Sequence, residues 1–247
     1  MPAPLADPPL PETPSLTTPT RDRTPEPAPV RAGSRLAAAV FAVFLVDTAA
    51  RLAAIQADLS WLARGSTFLL MPSLALWVLA RRGPALVVVA LLCSSAGDVL
   101  LGYDGLFLAG MGAFAVAHVC YVTYFVSSGA RSRLRRRWYL VVGYAVANAS
   151  LIVWLWPGLG DLRIPVAVYA LLLTATAVTS GSLGLRLGLG GGLFFVSDAL
   201  IAIGLADRPE PPMPGLWVMS TYILAQYLLA SGALGLSRDG TNTDSHV

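Results

Sequence analysis

From residue 36 the chain is a succession of apolar runs separated by short polar breaks. Eight runs can be drawn, at 36–53, 60–80, 84–101, 105–127, 138–156, 164–185, 190–206 and 214–236. Each is long enough for a helix to cross a hydrocarbon core roughly 30 Å thick. A lipid-exposed span has no water to bond its backbone and must satisfy its own N–H and C=O groups, which forces a helix. The strict alternation of a transmembrane barrel strand is absent. The pattern predicts an all-α, polytopic transmembrane helical bundle of about eight spans.

The two ends differ from the rest. Residues 1–35 hold ten of the 18 prolines and are predicted to be a disordered, cytoplasmic N-terminal segment. They lack the basic start and immediate apolar core of a signal peptide. Residues 36–236 form the predicted transmembrane domain, and 237–247 a polar cytoplasmic tail. Composition sharpens this division. Of 247 residues 55% are hydrophobic and only 13% charged, about half the charge of a soluble domain. Eight charges fall in 1–35, three after 236, and twenty serve the 201 residues between.

Several chemistries are excluded by what is missing. There is no lysine, so Schiff-base catalysis, a P-loop lysine and a Ser–Lys dyad are impossible. Of the two histidines, His246 lies in the tail, so multi-histidine zinc sites are excluded. Cys93 and Cys120 both sit in apolar runs and read as small packing residues. The net charge of +3 comes from an arginine-rich loop and the N-terminal flank. That pattern fits membrane topology and gives no reason to expect a nucleic-acid partner.

Arginine placement predicts orientation. With the N-terminus inside, the inner segments carry Arg21, Arg23, Arg31, Arg35, Arg81, Arg82, Arg131, Arg133, Arg135, Arg136, Arg137, Arg186 and Arg238, thirteen of seventeen. The outer face holds Arg51, Arg64, Arg163 and Arg208 with most of the loop acids. Both termini are therefore expected on the cytoplasmic side of the cell membrane. Trp61, Trp154, Trp156 and Trp217 fall near outer ends and Trp138 near an inner one, as interfacial anchors do. Two further sequence features bear on packing. The row Ala109, Ala113, Ala117 reads as a small-residue helix face, and Gly188 to Gly192 as a turn entering the seventh span. A short echo also relates Gly97-Asp98-Val99-Leu100-Leu101 to Ser197-Asp198-Ala199-Leu200-Ile201.

An ionisable side chain at membrane depth costs a few kcal/mol and marks a candidate functional site. Four qualify. Asp98 lies toward the outer end of the third span, beside Gly97 and one turn from Ser94. Asp198 lies near the middle of the seventh, with no arginine in that span to neutralise it. His118, in the fourth span, admits three readings: a satisfied core residue, a hydrogen-bonding member of an acid site, or a metal ligand together with both aspartates. Asp47, four residues before Arg51, reads most simply as an intrahelical ion pair. Tyr222 and Gln226, one turn apart, with Tyr169 and Asn148, are polar groups able to bond between helices. By depth, Asp98, Asp198, His118, Tyr169, Tyr222 and Gln226 belong to the middle-to-outer half. No cofactor or metal is expected.

Ser95-Ala96-Gly97-Asp98-Val99-Leu100-Leu101, then Phe107-Leu108-Ala109-Gly110-Met111-Gly112-Ala113-Phe114, then His118-Val119-Cys120-Tyr121, resemble the YhhN-type lysoplasmalogenase family. Gly192 to Leu200, with Ser197-Asp198 at its centre, resembles the second family motif, and Tyr222 to Leu228 its last helix. The resemblance implies an eight-helix membrane hydrolase. Such an enzyme cleaves the vinyl ether bond of a lysophospholipid, lysoplasmalogen, to a fatty aldehyde and a glycerophospho-base. It maps the family's paired aspartates to Asp98 and Asp198. These two are expected to form a catalytic acid/base pair, with His118, Ser197, Tyr169, Tyr222 and Gln226 orienting them or the water. One departure stands out. Family members often carry Lys-Pro shortly before a Met-Pro in the second span, whereas Met71-Pro72 here follows Thr67-Phe68. Arg64 is the cation nearest to that place. The competing reading of the same buried acids is a small-solute or proton-coupled transporter.

Overall fold

The computed structural model describes residues 28–57 and 59–244, and the side chains of all of these except 28–33, 60–67 and 238–244. Among the described residues there are helices but no strands. They are α1 (Ala28–Gln56), α2 (Ser60–Ala80), α3 (Ala85–Leu101), α4 (Phe107–Ser127), the short α5 (Ala130–Leu134), α6 (Trp138–Leu155), α7 (Arg163–Leu183), α8 (Leu185–Leu205) and α9 (Pro214–Asp244). Eight long helices thus occupy the eight apolar runs. Six contain stretches long and apolar enough to cross a membrane; Ala85–Leu101 and Phe68–Ala80 are shorter apolar segments. The chain is a multi-pass helical membrane bundle. The first helix starts at Ala28, inside the segment expected to be disordered; residues 1–27 of that segment lie outside the described residues.

Each long helix from α1 to α4 packs on the next, as does each from α6 to α9. Contacts of α4 with α7 and of α9 with α1 close the circuit, while α9 also reaches α2 and α3. Helix α6 lies outside this ring, packed on α7 and α8. The bundle has an apolar core in which a set of polar side chains is also buried, and an apolar exterior. Ser94, His118, Thr176, Ser180 and Gln226 are fully buried, whereas Val46, Leu69, Val146, Val153, Leu171 and Leu185 face outward. An apolar exterior is what a lipid solvent requires. Trp138, Trp154, Trp156 and Trp217 are exposed at helix ends, and Arg163 and Arg208 lie over the Trp156 and Trp154 rings. The Trp61 side chain lies outside the described residues.

Glycines set the close approaches that position the acids. A Cβ at Gly97 would lie 2.6 Å from a Phe114 ring carbon and 3.1 Å from the Gly110 carbonyl oxygen, so α3 and α4 meet nearly backbone to backbone. The expected alanine face of α4 is only partly buried: Ala117 is buried and Ala109 is exposed, while Gly110, Phe114, His118 and Tyr121 complete the buried face. Helix α8 begins at Leu185, separated from α7 by Gly184 alone, whose φ of 152° suits glycine. The run Gly188 to Gly192 is therefore helical, which corrects the expected turn. Its glycines bring α8 against both neighbours: a Cβ at Gly190 would lie 3.0 Å from the Leu229 nitrogen of α9, and one at Gly191 2.8 Å from Ala177 Cα of α7.

Candidate active site

A cavity of about 460 Å³ opens between α1, α3, α4, α7, α8 and α9. Asp98 on α3 and Asp198 on α8 both line it, with Ser197, Tyr169 and Tyr222. The remaining wall is largely apolar and includes Leu101, Phe107, Met111 and Phe114. Each carboxyl receives a tyrosine hydroxyl from a different helix. Tyr222 of α9 donates to Asp98 Oδ2 at 2.8 Å, and Tyr169 of α7 donates to Asp198 Oδ2 at 2.5 Å. Phe114 and Phe194 hold the Tyr222 ring edge-on at centroid distances of 5.9 and 5.6 Å. Ser197 turns its hydroxyl to the Val218 carbonyl at 3.1 Å, tying α8 to α9 beside Asp198.

His118 stands behind Tyr169 and is fully buried. Its Nε2 lies 3.1 Å from the Tyr169 hydroxyl and 3.9 Å from Asp198 Oδ2. Its Nδ1 lies 3.0 Å from Thr176 Oγ1. The Thr176 hydroxyl donates to the Leu172 carbonyl at 3.1 Å, so it accepts from His118 and fixes the proton on Nδ1. A hydrogen-bonded row then runs His118, Tyr169, Asp198. Its two hydrogen bonds need two protons, of which the tyrosine supplies one. The second sits either on Nε2, with Asp198 a carboxylate, or on Asp198, with Tyr169 donating to a neutral imidazole.

Gln226 lies one turn from Tyr222 but does not line the cavity. Its Nε2 donates to Ser94 Oγ at 2.9 Å, and its Oε1 accepts from the Tyr121 hydroxyl at 2.6 Å. All three groups are buried and mutually satisfied. Gln226 is thus a link between α3, α4 and α9 beneath the site. Asn148, on the outlying α6, contributes nothing to the cavity wall.

Two residues of the site were not singled out by sequence reasoning. Thr176 orients His118; it is seven residues after Tyr169 and so shares its helix face, which is the signal that marks it. Arg51 lines the cavity with Asp98 and stands one turn after Asp47 on α1. The expected pairing with Asp47 is only part of its surroundings, and Asp47 Oδ2 is buried without a hydrogen-bond partner. The side chain of Arg64 lies outside the described residues. Among the described residues, no three His, Cys, Asp or Glu side chains are placed to hold a metal.

The sequence model of the YhhN family matches residues 59–233. The chain belongs to the YhhN family. Among curated YhhN-type relatives, a Mycobacterium tuberculosis protein named lysoplasmalogenase is 34% identical over 157 residues, covering 59% of each chain. Human lysoplasmalogenase TMEM86B is 36% identical over 182 residues, covering 72% of this chain and 77% of its own. The pig protein of that name is 34% identical over 141 residues, covering 57% and 60% respectively. This chain spans 59% of the length of its mycobacterial relatives. No solved structure matches significantly. The transporter reading finds no support in these relatives.

Proposed function

We propose that this YhhN-family protein hydrolyses the vinyl ether bond of lysoplasmalogen, or of a closely related lysolipid, releasing a fatty aldehyde and a glycerophospho-base. The observation that carries the proposal is the pair of aspartates, each engaged at Oδ2 by a tyrosine, lining one largely apolar cavity. Relatives named lysoplasmalogenase point to the same chemistry.

Vinyl ether hydrolysis needs an acid strong enough to protonate carbon and a base for water, and two carboxyls divide those tasks as in glycosidases. One aspartate enters protonated and gives its proton to the distal carbon of the double bond. The carbon attached to oxygen becomes an oxocarbenium ion, stabilised by the carboxylate of its partner. Water adds to that carbon while the partner takes its proton, giving a hemiacetal. The partner, now protonated, returns its proton to the glycerol oxygen as the carbon–oxygen bond breaks. The first aspartate recovers a proton from the hemiacetal hydroxyl, and the aldehyde forms. The pair ends as it began, with one water consumed. Tyr169 and Tyr222 orient the carboxyls, His118 holds Tyr169, Ser197 fixes α8 beside the acid, and Gln226 sets α9.

The arginine distribution supports an orientation with both termini cytoplasmic, in which the cavity opens toward the opposite face of the cell membrane. In that reading 1–35 and 237–247 flank a transmembrane hydrolase domain at 36–236.

The test is aldehyde release by the purified protein in mild detergent, followed with a coupled dehydrogenase. A lysoplasmalogen is expected to yield aldehyde and its saturated alkyl-ether analogue none. A folded protein that releases no aldehyde contradicts the proposal.

A further inference from the structure

A second cavity of about 500 Å³ adjoins the first and shares Arg51, Ile201, Leu205, Val218 and Met219 with it. It lies between the ends of α1 and α8 and the start of α9, where the 206–213 connection adds Glu210 to its wall. The two cavities therefore share a wall: the acid pair lines the first, Arg51 stands in the shared wall, and Glu210 lines the second. Among the described residues, Arg51 is the cation in either wall. The nearby Arg163 and Arg208 are committed elsewhere: each lies over a tryptophan and donates to a backbone carbonyl, Arg163 to Trp156 and Arg208 to Trp154, both at 2.8 Å.

Glu210 lies in the connection between α8 and α9. Asp207 and Met213, at either side of it in the chain, have φ of 50° and 55°, turning the connection back over the bundle. Its carboxylate lies against Gly204 of α8, in space that a Cβ there would fill.

We infer that the adjoining cavities form a headgroup site for a zwitterionic phosphobase, in which Arg51 takes the phosphate and Glu210 the positively charged base. This rests on the lysolipid reading of the acid pair. In such a lipid only a glycerol unit separates the ether oxygen from the phosphate, so a cation that recognises the phosphate must share a wall with the acids. Arg51 does. The base extends past the phosphate, and the next charged wall residue is an acid. Guanidinium matches phosphate with a planar fork of donors, and a carboxylate complements an ammonium. The arrangement favours a phosphobase over a bare phosphate, which brings more negative charge near Glu210 and no cation for it.

The test is binding of three uncleavable 1-alkyl ethers of one chain length: alkylglycerol, alkylglycerol phosphate and alkylglycerophosphocholine. Affinities are read by titration calorimetry on the purified protein in mild detergent. The phosphocholine ether is expected to bind tightest. Arg51→Gln weakens both phosphate-bearing ethers by about tenfold, the scale of a charged hydrogen bond, and leaves alkylglycerol unchanged. Arg51→Lys retains most of the phosphate preference. Glu210→Gln weakens only the phosphocholine ether, by about threefold, since this acid is exposed. If neither Arg51 variant folds, Glu210→Lys decides, because it is expected to reverse the order of the two phosphate-bearing ethers.

Variants that bind all three ethers as wild type does, an Arg51→Gln loss equal for all three, or an unreversed order in Glu210→Lys would overturn the inference. Binding does not require cleavage, so the two claims fail separately. Headgroup-ordered binding without aldehyde release contradicts only the hydrolase reading. Aldehyde release with headgroup-blind binding contradicts only this one.

Discussion

Tyr222 donates its hydroxyl to Asp98 across 2.8 Å, and one turn away on the same two helices Gln226 bonds Ser94 at 2.9 Å. The spacing of four residues on α3 and four on α9 makes these two rungs of an antiparallel contact. The upper rung faces the cavity and the lower is sealed in the core. One helix pair thus carries a cavity-lining contact and a core contact on neighbouring turns.

The upper rung sets the orientation of Asp98. Tyr222→Phe keeps the ring in its aromatic cage but removes the donor. A hydrogen bond to a charged group is worth about 1.5–3 kcal/mol, so aldehyde release is expected to fall by about ten- to a hundredfold. The melting temperature in detergent should fall less than in Gln226→Leu, because Asp98 lines the cavity and water can replace the lost donor. Unaltered kcat would show that the bond is incidental.

The lower rung is expected to behave in the opposite way. Gln226→Leu leaves the Tyr121 and Ser94 hydroxyls buried without their partner, which costs about 1–3 kcal/mol. A clear drop in melting temperature is expected, with a smaller loss of kcat than in Tyr222→Phe. A variant as stable as wild type but inactive would move Gln226 into the chemistry.

His118, Tyr169 and Asp198 act as a unit if protons pass along the row. Tyr169→Phe and His118→Gln should each lower kcat by about tenfold or more, and the double variant should be no worse than the poorer single one. Multiplying losses would mean that the two residues work independently.

Packing between α3 and α4 supplies a prediction free of chemistry. Gly97→Ala forces a methyl into the Phe114 ring and toward the Gly110 carbonyl, at a cost of about 1–3 kcal/mol. Gly112→Ala, with nothing within 4 Å of the added carbon, should be neutral or slightly stabilising. Comparison of the two melting curves tests how closely the helices approach.

Much of this was legible in the sequence because the bilayer is a strict solvent. Apolar length alone located the eight helices, and the cost of a buried charge singled out Asp98 and Asp198, which share a cavity. Spacing on a helix predicted that Ser94 shares a face with Asp98 and Gln226 with Tyr222. Depth, however, does not give lateral position, so Gln226 was grouped with the cavity although it lies beneath it. Arg51 had a local partner four residues away in Asp47, and nothing in the sequence brings α1 beside α8 and α9. The glycine run at 188–192 was misjudged because poor helix propensity yields when two neighbouring helices require the space.

Protonation of carbon by the aspartate pair leaves an isotopic trace. It is tested most directly by running the cleavage in deuterium oxide, reducing the aldehyde at once to its alcohol, and locating the label by mass spectrometry. Transfer from a solvent-exchanged carboxyl to the distal vinyl carbon predicts one deuterium at the carbon next to the former aldehyde, and loss of turnover in both Asp98→Asn and Asp198→Asn. Product without that deuterium, or full turnover with asparagine at either position, would contradict the account.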